Sequence, residues 1–350
     1  SRMVKKINVR RRGMALIIVL IAVAIMVASA ATITSRFNRV LFITTNANFY
    51  DRAWWYVAGI EGIAMKYMKD DFKKTPTKVY LGMNWAQPNQ VIPLDEAIIT
   101  GTVKDEMACF NINSLATDIT YSNETSKERD MLDQDLRSER YQVLVFRNLL
   151  EQMGADATVA QTISDSAVDW IDTDNNMRSS MGAEDQFYLA GKNPHLTSRN
   201  RFYDKSELRS VHGMTAELYR RIEPMICALP EDKFVVSINT LNYRQAPLLS
   251  ALFLGHLPLE EAVKLIENRP NFGWDSYAGF FREDGVESRM AERYGLKTRL
   301  TSALVVNSNY FVMNITVKFD DDSYAFVSRI KRESDSQLMV YQRFIGELYE

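Results

Sequence analysis

The N-terminal part of the chain contains a long apolar segment without charges. Residues 14–35 include no Asp, Glu, Lys or Arg, and residues 14–31 are apolar except for Ser29. A helix rises about 1.5 Å per residue, so this segment reaches about 33 Å, enough to cross a hydrocarbon core of about 30 Å. Apolar residues then recur at helical spacing as far as Met68. The pattern predicts one helix over residues 14–70 that spans a membrane in its first half.

The rest of the chain alternates between strand and helix patterns. Runs typical of strands occur early, at residues 97–103 and 107–112. Helical spacing follows over residues 141–171, and shorter helices are predicted at 206–211, 215–222, 246–253 and 259–267. Strand patterns return late in the chain, with a hairpin turn at 320–322, over residues 299–307, 309–319, 324–332 and 338–344. An α+β fold interrupted by an all-α insertion explains this order, because the early and late strands can then share one sheet.

This interpretation divides the chain after the long helix into three parts. The all-α insertion is expected at residues 118–290, between a first α+β part at 71–117 and C-terminal strands at 291–350. Residues 118–139 are polar, without sustained periodicity over their first half, and are interpreted as a linker or mobile loop.

The charges are distributed unevenly around the apolar segment. The chain has 42 basic and 44 acidic residues, and residues 1–13 contain six of the basic ones and no acid. The remaining chain is therefore acidic (36 − 44 = −8), which argues against nucleic-acid binding. Basic residues before a membrane helix stay in the cytoplasm, so we expect a single-pass inner-membrane protein with a periplasmic C-terminal domain. A secretory signal cleaved near residues 28–30 is the alternative.

The chain has two cysteines, Cys109 and Cys227. On the oxidising side of a membrane two thiols are more often paired than free, and a disulfide between them would tie the insertion to the sheet. The alternative is that both are small buried hydrophobic residues.

Oxygen-donor side chains are densest at residues 169–176. Asp172, Asp174 and Asn176 match the first, third and fifth positions of an EF-hand loop, but Met177 stands where that loop needs glycine. Hard oxygen donors without nearby His or Cys suit Ca²⁺ better than a transition metal. The alternative is a solvated acidic loop that caps a helix, with Arg178 neutralising part of its charge.

Other motifs give weak indications. Residues 238–240 resemble the start of a helix-hairpin-helix DNA-binding module, but Glu260 and Glu261 follow its hairpin and would repel phosphate. None of the three His residues lies beside a nucleophile motif, and no phosphate-binding loop is present in the sequence. The sequence therefore predicts a protein that is not an enzyme and does not bind nucleic acid.

The junction before the apolar segment resembles the processing site of type IV pilins and type II secretion pseudopilins. In that family a prepilin peptidase removes a leader, here residues 1–13, by cutting after Gly13, and methylates the new N-terminal residue, here Met14. Most members have Glu at the fifth mature position, which is Ile18 here. The K-type minor pseudopilin (GspK) of type II secretion lacks this acid. An ordinary membrane anchor that happens to follow Arg-Gly is the alternative.

The central block resembles the α-domain of the GspK family, in residues 169–172, 182–185, 206–209, 213–214 and 227–230, with Tyr188 and Asn200. The resemblance implies a pilin-like fold, in which a long N-terminal helix packs on an antiparallel sheet, with a large inserted all-α domain that binds calcium. The ligands that it implies are the oxygen donors Asp172, Asp174, Glu184 and Asp185, with Asn176 and Asn200.

The same resemblance implies the function. K-type pseudopilins are tip subunits that nucleate and cap the periplasmic pseudopilus, which drives protein export across the outer membrane. The expected partners are the I-type and J-type minor pseudopilins, with the H-type below them. The alternatives are a type IV pilus minor pilin, a membrane-anchored helix-hairpin-helix DNA-binding protein, and a periplasmic enzyme on a signal anchor.

Overall fold

The computed structural model describes residues 9–88, 90–94, 96–121, 124–320 and 322–346. Residues 1–8 of the predicted leader lie outside the described residues. The chain divides into two compact units, residues 1–59 and 60–350. The helices are α1 (Val9–Lys74), α2 (Ser126–Met131), α3 (Gln134–Ser138), α4 (Tyr141–Gln152), α5 (Ala157–Ile171), α6 (Asp185–Leu189), α7 (Ala216–Ile222), α8 (Ala246–Leu252), α9 (Leu259–Glu267), α10 (Tyr277–Phe281), α11 (Val286–Ala291) and α12 (Leu296–Ala303).

The strands are β1 (Gln90–Pro93), β2 (Ile98–Asp105), β3 (Phe110–Asn111), β4 (Ile226–Cys227), β5 (Val236–Ser237), β6 (Leu304–Val305), β7 (Tyr310–Phe319), β8 (Asp322–Ser334) and β9 (Gln337–Ile345). Short 3₁₀ helices lie at Asn84–Ala86, Ile112–Ser114, Lys205–Ser210, Glu223–Met225 and Tyr243–Gln245.

The described part of the first unit is helical. Helix α1 includes Gly13 and Met14 in its backbone and ends at Lys74, four residues beyond the predicted end. Its stretch Leu16–Leu41 covers 26 residues and is apolar and exposed. It is the one helix among the described residues that is long and apolar enough to cross a membrane. The chain therefore has an apolar N-terminal helix of the length that a single-pass anchor needs.

The second unit is built on a five-stranded antiparallel sheet. Its strand order is β1-β2-β7-β8-β9, so the early and late strands share one sheet, as the sequence predicts. Strand β7 is buried over its first four residues and alternates in burial from Met313 onward. Its residue Phe311 packs against Phe72 of α1 with ring centroids 5.4 Å apart. A hairpin joins Phe319 to Asp322, although Asp321 within it lies outside the described residues. The predicted α+β fold, with a long helix on an antiparallel sheet, is confirmed.

The helical insertion lies between β2 and β7. Its buried apolar side chains form one core that includes residues from Ala108 to Leu304, and Phe110 stacks on Phe146 of α4 at 5.1 Å. Two short parallel ladders connect its ends to its middle: β3 near the start pairs with β4, and β5 pairs with β6 near the end. Beside the first ladder Cys109 and Cys227 form a disulfide, with their Cα atoms 5.8 Å apart.

Two secondary-structure predictions are wrong. Part of the predicted linker at residues 118–139 is helical, because Thr125 and Glu128 form a reciprocal cap that starts α2. The strand predicted at 299–307 is helix α12 followed by the two-residue strand β6. Leu296, Leu300 and Ala303 are all buried there, and their spacing of four and three residues is that of one helix face.

Charged side chains join the insertion to the sheet. Arg329 of β8 is 1% exposed, and its Nε lies 2.9 Å from Glu106 Oε1 while its Nη2 lies 3.2 Å from Asp204 Oδ2. Asp105, at the end of β2, accepts hydrogen bonds from the hydroxyl groups of Thr240 at 2.6 Å and Ser308 at 2.5 Å. The insertion is thus held to the sheet by buried polar contacts near the point where the chain leaves it.

Candidate metal centre

The candidate centre begins in the last turn of α5. Asp156 starts this helix, because its carboxylate accepts a hydrogen bond from Val159 N at 2.8 Å. At the other end Asp169 is fully buried in the last turn, and Asp172 terminates the helix with an extended backbone. The C-terminus of a helix carries partial negative charge, so two carboxylates there are unfavourable unless a cation lies between them.

The following loop folds back over Asp169. The backbone N–H of Arg178 donates to Asp169 Oδ1 at 2.9 Å. Gly182 approaches the other oxygen so closely that a Cβ added to it would collide with Asp169 Oδ2. The loop then delivers Glu184, which is 5% exposed and precedes α6. Glycine at position 182 therefore allows the loop to close on the carboxylate.

Three carboxylates meet where the loop closes. Asp169, Asp172 and Glu184 each offer an oxygen, and these oxygens all lie within 4.8 Å of one another. Asp169 Oδ2, Asp172 Oδ1 and both oxygens of Glu184 are buried without a hydrogen-bond partner. Unpartnered buried polar atoms are rare in native proteins, so this group calls for a ligand that oxygen atoms can bind.

The electrostatics of the group point to a cation. Burial, with the neighbouring carboxylates adding to it, raises the pKa of Asp169 to about 6 and of Asp172 to about 6. The same causes raise the pKa of Glu184 to about 7. A divalent cation would remove this mutual repulsion. The donors are all hard oxygens, so they fit Ca²⁺ better than the metals that prefer nitrogen or sulfur.

The structure brings only some of the predicted ligands together. Asp172 and Glu184 lie in the three-carboxylate group. Asp174 and Asn176 are exposed on the loop, where Asp174 Oδ1 accepts a hydrogen bond from Asn176 N at 2.7 Å. Asn200 is also exposed, and its side-chain oxygen accepts a hydrogen bond from the N–H of the next residue at 2.8 Å.

Asp185 is already occupied by protein donors. Its Oδ1 accepts hydrogen bonds from Thr197 N and Oγ1, both at 2.8 Å, and its Oδ2 contacts the guanidinium of Arg199. The hydrogen bonds from Thr197, together with Arg199, lower the pKa of Asp185. Its carboxylate is therefore neutralised without a metal.

Asp169 is a member of the group that the predicted ligand set omits. It lies in the acid-rich segment 169–176, three residues before Asp172. Residues three apart on a helix share a face, so this spacing could have indicated that Asp169 lies beside Asp172. What the sequence does not reveal is the fold of the loop that places Glu184 beside both.

Arg178 does not neutralise the three carboxylates. Its guanidinium pairs with Glu139, and its Nε lies 3.6 Å from Asp165 Oδ1. Arg147 binds the same two acids, at 3.0 Å from Glu139 Oε2 and 2.7 Å from Asp165 Oδ1. The two arginines and two acids form a separate ion-pair cluster that anchors the loop to α4 and α5.

The segment that resembles a helix-hairpin-helix module is used structurally. Asn239 is fully buried, and its amide exchanges hydrogen bonds with the backbone of Trp274, at 2.9 Å to the carbonyl O and 2.8 Å from the N–H. Glu260 and Glu261 lie in the first turn of α9, where phosphate would have to bind. The segment therefore lacks the features of a DNA-binding surface.

Comparison with known proteins identifies the family. Two family models described as type II secretion system (T2SS), protein K match residues 108–231 and 236–305. The chain is 34% identical over 337 residues to type II secretion system protein K of Aeromonas hydrophila, which covers 96% of this chain and 98% of that protein. It is also 34% identical over 342 residues to type II secretion system protein K of Pectobacterium carotovorum subsp. carotovorum, with 96% and 97% covered.

A solved structure agrees with these relatives. A chain in the crystal structure of the GspK-GspI-GspJ complex from enterotoxigenic Escherichia coli is similar with a TM-score of 0.73 and 28% identity, over 87% of this chain and 99% of that one. The sequence resemblance is thus confirmed over nearly the whole length. The chain belongs to the protein K family of type II secretion systems, the K-type minor pseudopilins.

Proposed function

We propose that this chain is the tip subunit of a pseudopilus, which it nucleates and caps together with I-type and J-type minor pseudopilins. The solved relative is a complex with GspI and GspJ, which supports these partners. The H-type pseudopilin is the expected subunit below them. The role is structural and requires no catalytic site.

The position of the insertion is the observation that carries this proposal. The chain leaves the sheet after Asp105 of β2 and returns before Tyr310 of β7, and these strands are neighbours. The same end of the sheet receives the end of α1, since Asn307 Nδ2 donates to Pro76 O at 3.1 Å and Val79 N to Val306 O at 2.8 Å. The insertion thus leaves and rejoins the sheet beside the C-terminal end of α1. There it would obstruct a further subunit.

The N-terminal helix would anchor the chain before assembly. The exposed apolar surface of Leu16–Leu41 suits lipid first and the helices of neighbouring subunits afterwards. Ile18, exposed at the fifth mature position, cannot neutralise the amino terminus of another subunit as Glu would. A subunit without this acid suits the start of a filament.

Calcium would complete the insertion. Asp169, Asp172 and Glu184 would hold the ion, which supplies positive charge at the end of α5 and joins it to the start of α6. The loop between these helices is exposed over residues 173–177 and has few apolar side chains to order it. Binding energy from the ion would therefore become folding energy of the loop.

The location of the subunit can be tested on assembled filaments. Full-length chain with an epitope inserted beside Ser336, which is exposed in the turn between β8 and β9 and outside the candidate metal centre, would be expressed with the other pseudopilins, and sheared filaments would be labelled with gold. We expect label at one end of each filament. Label along the shaft would refute the tip position.

Processing can be tested on the same material. Mass spectrometry of the mature N-terminus is expected to find N-methylated Met14, because cleavage after Gly13 keeps the apolar helix in the protein. A mature chain that begins after Ala30 would instead indicate a secretory signal and refute the anchor.

A further inference from the structure

Arg199 lies beside the candidate metal centre in an unusual conformation. Its backbone φ is 48°, in the left-handed region that residues with a Cβ rarely adopt. In this conformation its N–H donates to the carbonyl oxygen of Trp170 at 3.1 Å. Trp170 lies between Asp169 and Asp172, so the strained backbone of Arg199 contacts the turn that carries two of the three carboxylates.

The side chain of Arg199 reaches the other half of the loop. Its Nη2 donates to Asn175 Oδ1 at 2.6 Å and also to Asp185 Oδ2. Asn175 belongs to the segment that leaves α5, and Asp185 directly follows Glu184. One guanidinium therefore connects the start of the loop between α5 and α6 with its end, beside the three carboxylates.

The groups that Arg199 binds are those that a metal ion would bind. Carboxylate and amide oxygens, such as those of Asp185 and Asn175, are typical calcium ligands. A guanidinium is a permanent cation with donors in a rigid fork, so it can satisfy the same oxygens from within the chain. Asp185 is only 14% exposed at its side chain, so the contact is partly shielded from water.

We infer that the guanidinium of Arg199 takes the place of a second metal ion and limits this loop to one. The inference rests on the proposed calcium site at Asp169, Asp172 and Glu184, and it explains why the neighbouring acid Asp185 is not a ligand. A second divalent ion at Asp185 Oδ2 is excluded because the guanidinium occupies that oxygen and repels positive charge.

The test is the number of calcium ions bound as the charge at position 199 changes. Full-length protein in detergent, stripped with EGTA, would be titrated with calcium chloride by calorimetry and equilibrium dialysis. Wild type is expected to bind one ion. Arg199→Met, which vacates Asp185 Oδ2 and Asn175 Oδ1, is expected to bind a second, weaker ion, with a Kd of roughly 10⁻⁴–10⁻³ M.

Matched variants separate charge from fold. Arg199→Lys keeps the charge and is expected to bind one ion. Arg201→Met is the control, because the Arg201 guanidinium instead contacts Pro230 O at 3.0 Å. In Arg199→Met combined with Asp185→Asn, the second ion should be lost and the first retained.

The outcomes distinguish the two proposals. If wild type binds no calcium, the proposed calcium site fails. If wild type binds one ion and Arg199→Met also binds one, the calcium site stands and the role of Arg199 is refuted. Failure of Arg199→Met to fold at any calcium concentration also refutes it, because the vacated oxygens would then take no ion.

Discussion

Arg343 of β9 forms a two-pronged ion pair with Glu61 of α1. Its Nε lies 2.9 Å from Glu61 Oε1 and its Nη2 lies 2.8 Å from Oε2, and Glu61 is only 3% exposed. The hydroxyl group of Ser328 on β8 donates to the same carboxylate. Three hydrogen-bond donors from the sheet, two on Arg343 and one on Ser328, therefore fix the rotation of this part of α1.

Removing one partner of this ion pair should destabilise the second unit, residues 60–350. Arg343→Met leaves the Glu61 carboxylate buried without its cation, which costs about 3–5 kcal/mol for fully buried pairs. Because Arg343 is 40% exposed at its side chain, we expect a loss of about 2 kcal/mol in the free energy of unfolding, measured by urea denaturation. Lys331→Met, which removes the half-exposed pair with Glu333, is the control and should cost less than about 1 kcal/mol.

The candidate metal centre predicts which acids calcium needs. Asp169→Asn, Asp172→Asn and Glu184→Gln should each raise the calcium Kd by at least about tenfold, because each removes a charged ligand that is worth about 1.4 kcal/mol or more. Asp174→Asn is the matched control, since Asp174 is exposed on the same loop. Calorimetric titration of the full chain measures all four. A larger effect at Asp174 than at Asp169 would contradict the assignment.

How much the sequence could predict differs between the fold and the site. Helix α1 follows from a long apolar segment and the helical spacing after it, and the strands follow from runs of apolar residues early and late in the chain. Such patterns repeat over many residues, so they can be recognised without the structure. The predicted strand at 299–307 is wrong because its apolar residues also fit a helix, and within that helix Arg299 forms a buried ion pair with Glu124. Such a pair joins positions far apart in the sequence.

The site shows the same limit. The sequence marks residues 169–185 as rich in oxygen donors but gives no means of sorting them by burial. Asp169 and Glu184 become neighbours because Gly182 lets the loop close. The carboxylate of Asp185 is instead occupied by Thr197 and Arg199, which lie outside the acid-rich segment. Both facts depend on tertiary contacts that no local pattern encodes.

The disulfide should contribute strongly to stability. Cys109 and Cys227 are 118 residues apart, and cross-linking a loop of about 100 residues is worth about 4–5 kcal/mol in the chain-entropy model. Replacing both with Ser should therefore lower the free energy of unfolding by about 2–5 kcal/mol. Dithiothreitol should shift the urea midpoint of the wild type toward that of the variant and leave the variant unchanged. Equal midpoints in the untreated proteins would refute a structural role for the bond.

The buried pair of Glu106 and Arg329 predicts a pH dependence. Burial raises the pKa of Glu106 from an ordinary 4.5 to about 7, despite the opposing effect of Arg329. Between these two values the folded state binds more protons than the unfolded state, so the free energy of unfolding should fall as pH rises from about 4.5 to about 7. Glu106→Gln cannot titrate, so the variant should match the wild type at about pH 4, below both pKa values, and melt at a higher temperature at about pH 8. Glu217→Gln, at a side chain that is 69% exposed, should retain the pH profile of the wild type. A variant Glu106→Gln that is less stable than the wild type at pH 8 would mean that the attraction to Arg329 outweighs the cost of burying the charge.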